Sequence, residues 1–355
     1  MADFAGFQEQ GYRLTEKEIA VLEREIIKVY REAQKALTAD LTKVYAKLAG
    51  IDPTDAGYYN ELLKRDRLTT LQQTVTATYN KYANFAGVKT ATASKLAITN
   101  NYYRQLYTSA WGTTVTFGAL PEELVNLATY GTDKAWKAYT KTIAKKFGAA
   151  GLYQPKEGTL SSFLLKNKKA DLAKIRQAVT QGLIQGVDLR AMTKSIKDIT
   201  GRELIKDGKK VLTGAKANAM RIIRTETGRI MNAGAFAQTK LLESEGIAVQ
   251  KRWLATLDVS TRARHAALDD KTINPDEPFT IGSDTAMYPG DFGSVKNNAN
   301  CRCSVIDIIP DFEPDVRTGR NPGTERNEVF GWKNYDEWVK DNGLKRSKSG
   351  RMVKA

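Results

Sequence analysis

The apolar stripe from Ile19 to Leu48 is the strongest constraint on how this chain can fold. Ile19, Leu22, Ile26, Val29, Ala33, Leu37, Leu41, Val44 and Leu48 recur at spacings of three and four, which places them on one face of an α-helix. A helix of roughly nine turns, apolar on one side only, cannot enclose a core by itself and requires partner helices. Thr15-Glu16-Lys17-Glu18 reads as a capping box at its start, with the hydroxyl and the Glu18 carboxylate each satisfying a backbone N–H. Gly50-Ile51-Asp52-Pro53 reads as its stop.

Composition mainly excludes. No run of 18 apolar residues exists, so no transmembrane helix is expected. Met1 to Tyr12 has neither a basic start nor an apolar core, so no secretory leader is expected. At roughly 100–200 residues per domain, the length suggests two or three domains. The two cysteines, Cys301 and Cys303, cannot build a disulfide framework, which suits synthesis in a reducing cytosol. The single histidine, His265, excludes any site needing two within one chain.

The net charge of +15 is uneven: residues 101–250 hold 24 basic against 12 acidic residues. Such a middle can hold phosphate backbones through counterion release, or an acidic protein surface by the same Coulomb attraction, or can simply be a solvated face. Lys194, Lys197, Lys209, Lys210, Lys345, Arg346 and Lys348 are the candidate polyanion contacts.

Along the chain, residues 58–110 read as further helix. Tyr102, Tyr103, Tyr107 and Trp111 form an aromatic cluster that suits helix packing better than base stacking, since only Arg104 interleaves it. Residues 121–147 read as helix, and Gly148 to Gly158 as a linker. Residues 170–200 read as a helical hairpin: Ile175, Val179 and Leu183 line one helix, Gly186-Val187-Asp188 turn the chain, and Leu189, Met192, Ile196 and Ile199 line the second up to Gly201. A DNA-reading helix-turn-helix is the alternative, but the second helix opens without the side chains that read base edges.

A long helix follows from about Ala215 to Glu245. Ala219, Ile222, Ile230, Ala233, Ala237 and Leu241 share one face, with Glu226 in its middle. A carboxylate there must be paired. Arg224 and Arg229 flank it but project elsewhere around the helix, so Arg252, Arg262, Arg264 and Arg302 are the expected partners. After Gly246 the period changes to two. Val249–Ala255 and Val305–Ile309 read as strands, separated by about fifty residues of weak pattern with a short helix starting at Thr261. The final segment, 311–355, reads as a tail with a short helix near Tyr335–Lys340 and a disordered basic end.

The expected fold is thus α+β and predominantly helical. It divides into a helical region 1–150, a helical segment 151–245 with the hairpin and the long helix, a small α+β module 246–310, and the tail 311–355. His265, Cys301 and Cys303 all fall in the small module. Thiolates and imidazole are donors for zinc, although Cys-x-Cys is not a common zinc spacing. The alternatives are two packed thiols beside a locally bonded histidine, or a thiol nucleophile with its base. No phosphate-binding Gly-x-x-x-x-Gly-Lys loop, His-Glu-x-x-His or Gly-x-Ser-x-Gly is present.

One ordered set of motifs stands out. Arg221-Ile222-Ile223-Arg224-Thr225-Glu226-Thr227 is followed by Asn232, Lys251-Arg252-Trp253, Asp258, Thr261-Arg262, His265, Leu268-Asp269, Phe279, Pro289-Gly290-Asp291 and Asn300-Cys301-Arg302-Cys303. This order resembles the Mu-F-like family of phage minor head, or head morphogenesis, proteins over about residues 165–310. It departs from the family pattern at Asp270 and Phe292, where Gly and Pro are usual.

The resemblance implies a minor capsid protein of a tailed double-stranded DNA phage, made in the bacterial host cytoplasm and housed inside the virion head. Its implied partners are the portal protein, major capsid or scaffold proteins and the DNA backbone, with self-association also open and no membrane involved during assembly. Roles in head assembly, DNA packaging and DNA ejection follow from the same likeness, with no catalytic residues. On this reading Arg221, Arg224, Glu226, Arg262, His265, Asp269 and Arg302 form a polar network tying the long helix to the module, and Trp253 packs between them. The enzyme alternative is a metal- or thiol-dependent hydrolase or nuclease built on His265, Cys301 and Cys303.

Overall fold

The computed structural model describes residues 4–49, 61–86, 88–89, 160–184, 189–206, 208–244, 246–309, 313–347 and 352–354. Among these, one compact unit is built from segments within Val21–Thr90 and Ser161–Ile222, and a second takes in the chain from Ile223 onward. The expected divisions at 150, 245 and 310 run consecutively, whereas these units interleave, because helices remote in sequence share one core. The architecture is helical with small sheets, as the α+β expectation requires. The aromatic cluster at Tyr102–Trp111, the helix expected over 121–147 and the linker at 148–158 lie outside the described residues.

The first unit takes in α1 (Phe4–Ala49) from Val21 on, α2 (Glu61–Tyr82), α3 (Leu160–Ile184) from Ser161 on and α4 (Leu189–Thr200). Leu22, Ile26, Val29, Ala33, Leu37 and Leu41 of the predicted stripe are buried. Ile19, Val44 and Leu48 fall where side chains are not described. The partner helices that the stripe demands are present. Tyr30 of α1 and Tyr79 of α2 both donate to the buried Asp171 carboxylate of α3, and Asn167 donates to the same oxygen at 3.2 Å. Gln34 reaches Thr200 and the Gly201 carbonyl.

Two expectations need correction. α1 begins at Phe4, so the Thr15–Glu18 pair lies inside the helix, where the preceding residues include no proline to stop it. A β-hairpin, β1 (Glu203–Lys206) with β2 (Lys209–Leu212), follows α4 where sequence suggested no strand. Arg31 grips Glu203 through two hydrogen bonds of 3.0 and 2.8 Å, and Lys216 lies 3.3 Å from the same carboxylate.

Helix α5 (Gly214–Ser244) matches its expected bounds closely and carries the chain into the second unit. There β3 (Gln250–Leu254) pairs antiparallel with β7 (Ser304–Ile308), Trp253 opposite Val305, and with the two-residue β4 (Thr272–Ile273). The weakly patterned fifty residues fold as the one-turn α6 (Ala263–Ala266), the hairpin β5 (Phe279–Ile281) with β6 (Asp284–Ala286), and the one-turn α7 (Val295–Asn298). Trp253, Phe279, Phe292, Tyr288, Leu257 and Phe236 of α5 share one buried core.

The expected tail belongs to this core. The hairpin β8 (Val316–Arg320) with β9 (Asn327–Gly331) leads to α8 (Tyr335–Asp341), which is capped by Asn334 and Glu337 and buries Tyr335 and Trp338. The disorder expected at the basic end is also corrected. Leu344–Arg346 (β10) pairs antiparallel with Met352–Lys354 (β11), and Leu344 packs on the core.

Candidate functional site

The second unit holds together through the polar residues of α5. The predicted apolar face is only part of its buried surface. Glu226, Arg229, Asn232, Phe236, Thr239 and Leu242 are buried, while Ile222 is half-buried. The side chains of Ile230, Ala233, Ala237 and Leu241 are outside the described set.

Asn232 acts as a piece of strand edge. Its amide nitrogen donates to the Cys303 carbonyl and its amide oxygen accepts from the Val305 N–H, both at 3.0 Å. Two turns earlier Thr225 Oγ1 accepts from the Asn300 N–H at 2.9 Å, and two turns later Thr239 donates to Asp307. The Thr225 and Asn232 contacts satisfy backbone groups of the 300–305 segment that have no ladder partner. Two glycines permit the close approach. A Cβ on Gly228 would lie 3.2 Å from the Cys301 carbonyl, and one on Gly290, whose φ is +94, would lie 3.1 Å from Arg229 Cα.

The predicted network residues are placed, but not as one network. Glu226 pairs with Arg229, whose Nε donates to it at 3.0 Å. Residues three apart on a helix are neighbours, and the long arginine stem covers the angular offset that seemed to exclude it. Burial lowers the Arg229 pKa to about 10, opposed by the nearby Tyr288 and Asp291. Arg224 is exposed, and Arg221 is exposed with a 3.3 Å bond to Asn218.

The module's own charges pair locally. Arg262 donates to the Ala299 carbonyl, and Arg302 pairs with the buried Asp258. Asp269 is held by Arg317 through two bonds of 2.8 and 2.5 Å, by the Ala255 N–H and by the Tyr335 N–H. Trp253 packs as expected, fully buried with its ring 5.1 Å from Phe279 and 5.9 Å from Phe292. Arg229, Thr239, Asp307 and Arg317 were missed. The first could have been found from its three-residue offset to Glu226, whereas the others need the tertiary structure.

His265, Cys301 and Cys303 do come together. His265 Nδ1 lies 3.4 Å from Cys303 Sγ and 3.5 Å from Cys301 Sγ, and all three donor atoms lie within 4.8 Å of one another. The histidine sits on α6. The thiols precede β7 on chain that is not yet a ladder strand, after Asn300 at φ +54. That irregular backbone lets two alternate residues face the same point. His265, Cys301 and Cys303 are 1%, 8% and 6% exposed. The ring is held by Trp253 at 5.8 Å and Phe292 at 6.1 Å, and its Nε2 is buried without a hydrogen-bond partner among the described residues. Cys301 is pushed well below the ordinary thiol range by the hydrogen bond from Cys303, aided by His265; the same bond and burial hold Cys303 well above it.

Of the candidate polyanion contacts, Lys194 and Lys197 lie exposed on α4 of the first unit, Lys345 is exposed and Arg346 half-buried in the second. The side chains of Lys209 and Lys210, and all of Lys348, are outside the described set.

Residues 173–306 match the family model for Phage Mu protein F like protein. A stretch of 184 residues is 32% identical to Minor head protein GP7 of Bacillus phage SPP1, covering 51% of this chain and 55% of that protein. A stretch of 123 residues is 37% identical to NAD(+)--arginine ADP-ribosyltransferase EFV of Enterococcus faecalis (strain ATCC 700802 / V583), covering 35% of this chain and 24% of that protein. The matches thus span about a quarter and about half of those relatives. No solved structure gives a significant match.

Proposed function

Since residues 173–306 belong to the Phage Mu protein F like family, we propose that the whole chain is a minor head protein, inside the virion near the portal, working by contact rather than by turnover. The carrying observation is that the Arg-Thr-Glu…Asn and Asn-Cys-Arg-Cys motifs meet each other. Thr225 binds the Asn300 N–H, and Asn232 binds the backbone at Cys303 and Val305. Residues used to join a helix to a loop-rich module are being used for shape. The three candidate reacting groups, His265, Cys301 and Cys303, are buried under aromatic rings, which also suits a structural part.

The likeness to Minor head protein GP7 supports the location. The shared segment is about a quarter of the ADP-ribosyltransferase, so this match alone gives no ground for extending that protein's named activity to this chain. The exposed Lys194, Lys197 and Lys345 are offered as non-specific contacts to the DNA backbone or to acidic head proteins, with assembly and ejection roles following from them. Mass spectrometry of purified particles, with pull-down of the portal protein, tests the reading. The chain should be present in intact particles in few copies and should retain the portal. Particles lacking it would remove the proposal.

A further inference from the structure

We propose that His265, Cys301 and Cys303 are the protein ligands of a structural zinc ion in the second unit. Two sulfurs and one imidazole nitrogen are the donors this ion prefers, and a tetrahedral ion at ordinary bond lengths sets each nitrogen–sulfur edge at about 3.6 Å. The observed edges are 3.5 Å to Cys301 and 3.4 Å to Cys303. The three donors come from two segments that no strand pairing connects directly, α6 and the chain before β7, so the ion joins them at the centre of the module.

Charge favours the same assignment. Each thiol gives up its proton to solvent as the ion binds. Two thiolates and a neutral imidazole then balance the two positive charges, leaving a neutral site in an apolar core. The nearby carboxylates are already committed, Asp258 to Arg302 and Asp269 to Arg317. The enclosing rings of Trp253 and Phe292 and the near-complete burial of all three ligands make the site a staple rather than a reaction centre. This assignment concerns the module alone and stands whether or not the chain is a head protein.

The test uses the full untagged chain, since a histidine tag would add ligands. Elemental analysis should find about one zinc per chain in the wild type and background in Cys303→Ser and His265→Ala. Should the variants fail to fold, the wild type alone decides. Cobalt loaded in place of zinc should give an intense thiolate-to-metal charge-transfer band. Both thiols should resist a thiol reagent until a chelator is added, and the chelator should lower the unfolding midpoint. A folded wild-type chain that is metal-free after zinc loading, with no charge-transfer band and with thiol reactivity indifferent to chelator, overturns the assignment.

Discussion

Asn232 on α5 binds Val305 near the start of the edge strand β7, accepting its N–H at 3.0 Å while donating to the Cys303 carbonyl at the same distance. One side-chain amide thus replaces a missing strand neighbour. Truncation to Ala strands a buried donor and a buried acceptor. Each unsatisfied group costs about 1–3 kcal/mol, so Asn232→Ala should lower the stability of the second unit by about 2–4 kcal/mol in urea unfolding. A change under half a kilocalorie would show that the amide is not a latch.

Glu226 and Arg229 form a buried pair. Removing the carboxylate alone breaks this buried pair from one side only, at a cost of about 3–5 kcal/mol. Glu226→Gln should therefore be far more damaging than the double change Glu226→Leu, Arg229→Met, which removes both charges. Additive losses in a double-mutant cycle would contradict the pairing.

Asp171 gives the first unit a pH dependence. Burial raises its carboxyl from 3.8 to about 6, although hydrogen bonds from Tyr30 and Tyr79 and the Lys174 charge pull it down. Because the folded state holds the proton more tightly than the unfolded state, this contribution is present in full below the unfolded value. It is lost as pH rises through about 6. Melting curves across that window should show stability falling with rising pH. Asp171→Asn should flatten the fall and raise stability at neutral pH. A variant less stable than the wild type at neutral pH would reverse the assigned sign.

Gly290 and Gly246 separate crowding from strain. Both have positive φ, but a Cβ on Gly290 meets the Arg229 backbone at 3.1 Å whereas one on Gly246 meets nothing within 4 Å. Positive φ alone costs on the order of 1–2 kcal/mol for an ordinary residue. Gly290→Ala should exceed Gly246→Ala by the added displacement of α5 from the Pro289–Gly290 turn. Equal effects would mean that the turn does not press on the helix.

Much of the fold can be read from sequence, for identifiable reasons. The stripe from Leu22 to Leu41 and the bounds of α5 follow from helical period, which needs no tertiary information. The conflict at Glu226 was visible because a carboxylate interrupts an apolar face. Its partner is harder to read, because angular offset around the helix says nothing of the reach of an arginine stem. The hairpins Glu203–Leu212 and Val316–Gly331 left little trace, since short two-stranded ribbons carry many charged and polar residues. The grouping of His265 with Cys301 and Cys303 could be suspected from composition. Their convergence depends on the irregular backbone at Asn300, which no periodicity encodes.

α5 from Thr225 to Thr239 and the 300–308 segment act as one latched scaffold. Amide hydrogen exchange on the wild type and on Asn232→Ala reads this coupling. Helix and strand amides should open with a common free energy in the wild type, and both should fall together in the variant. Strand 304–308 keeping its protection while the helix loosens would mean that the two are separate pieces, and the scaffold account would fail.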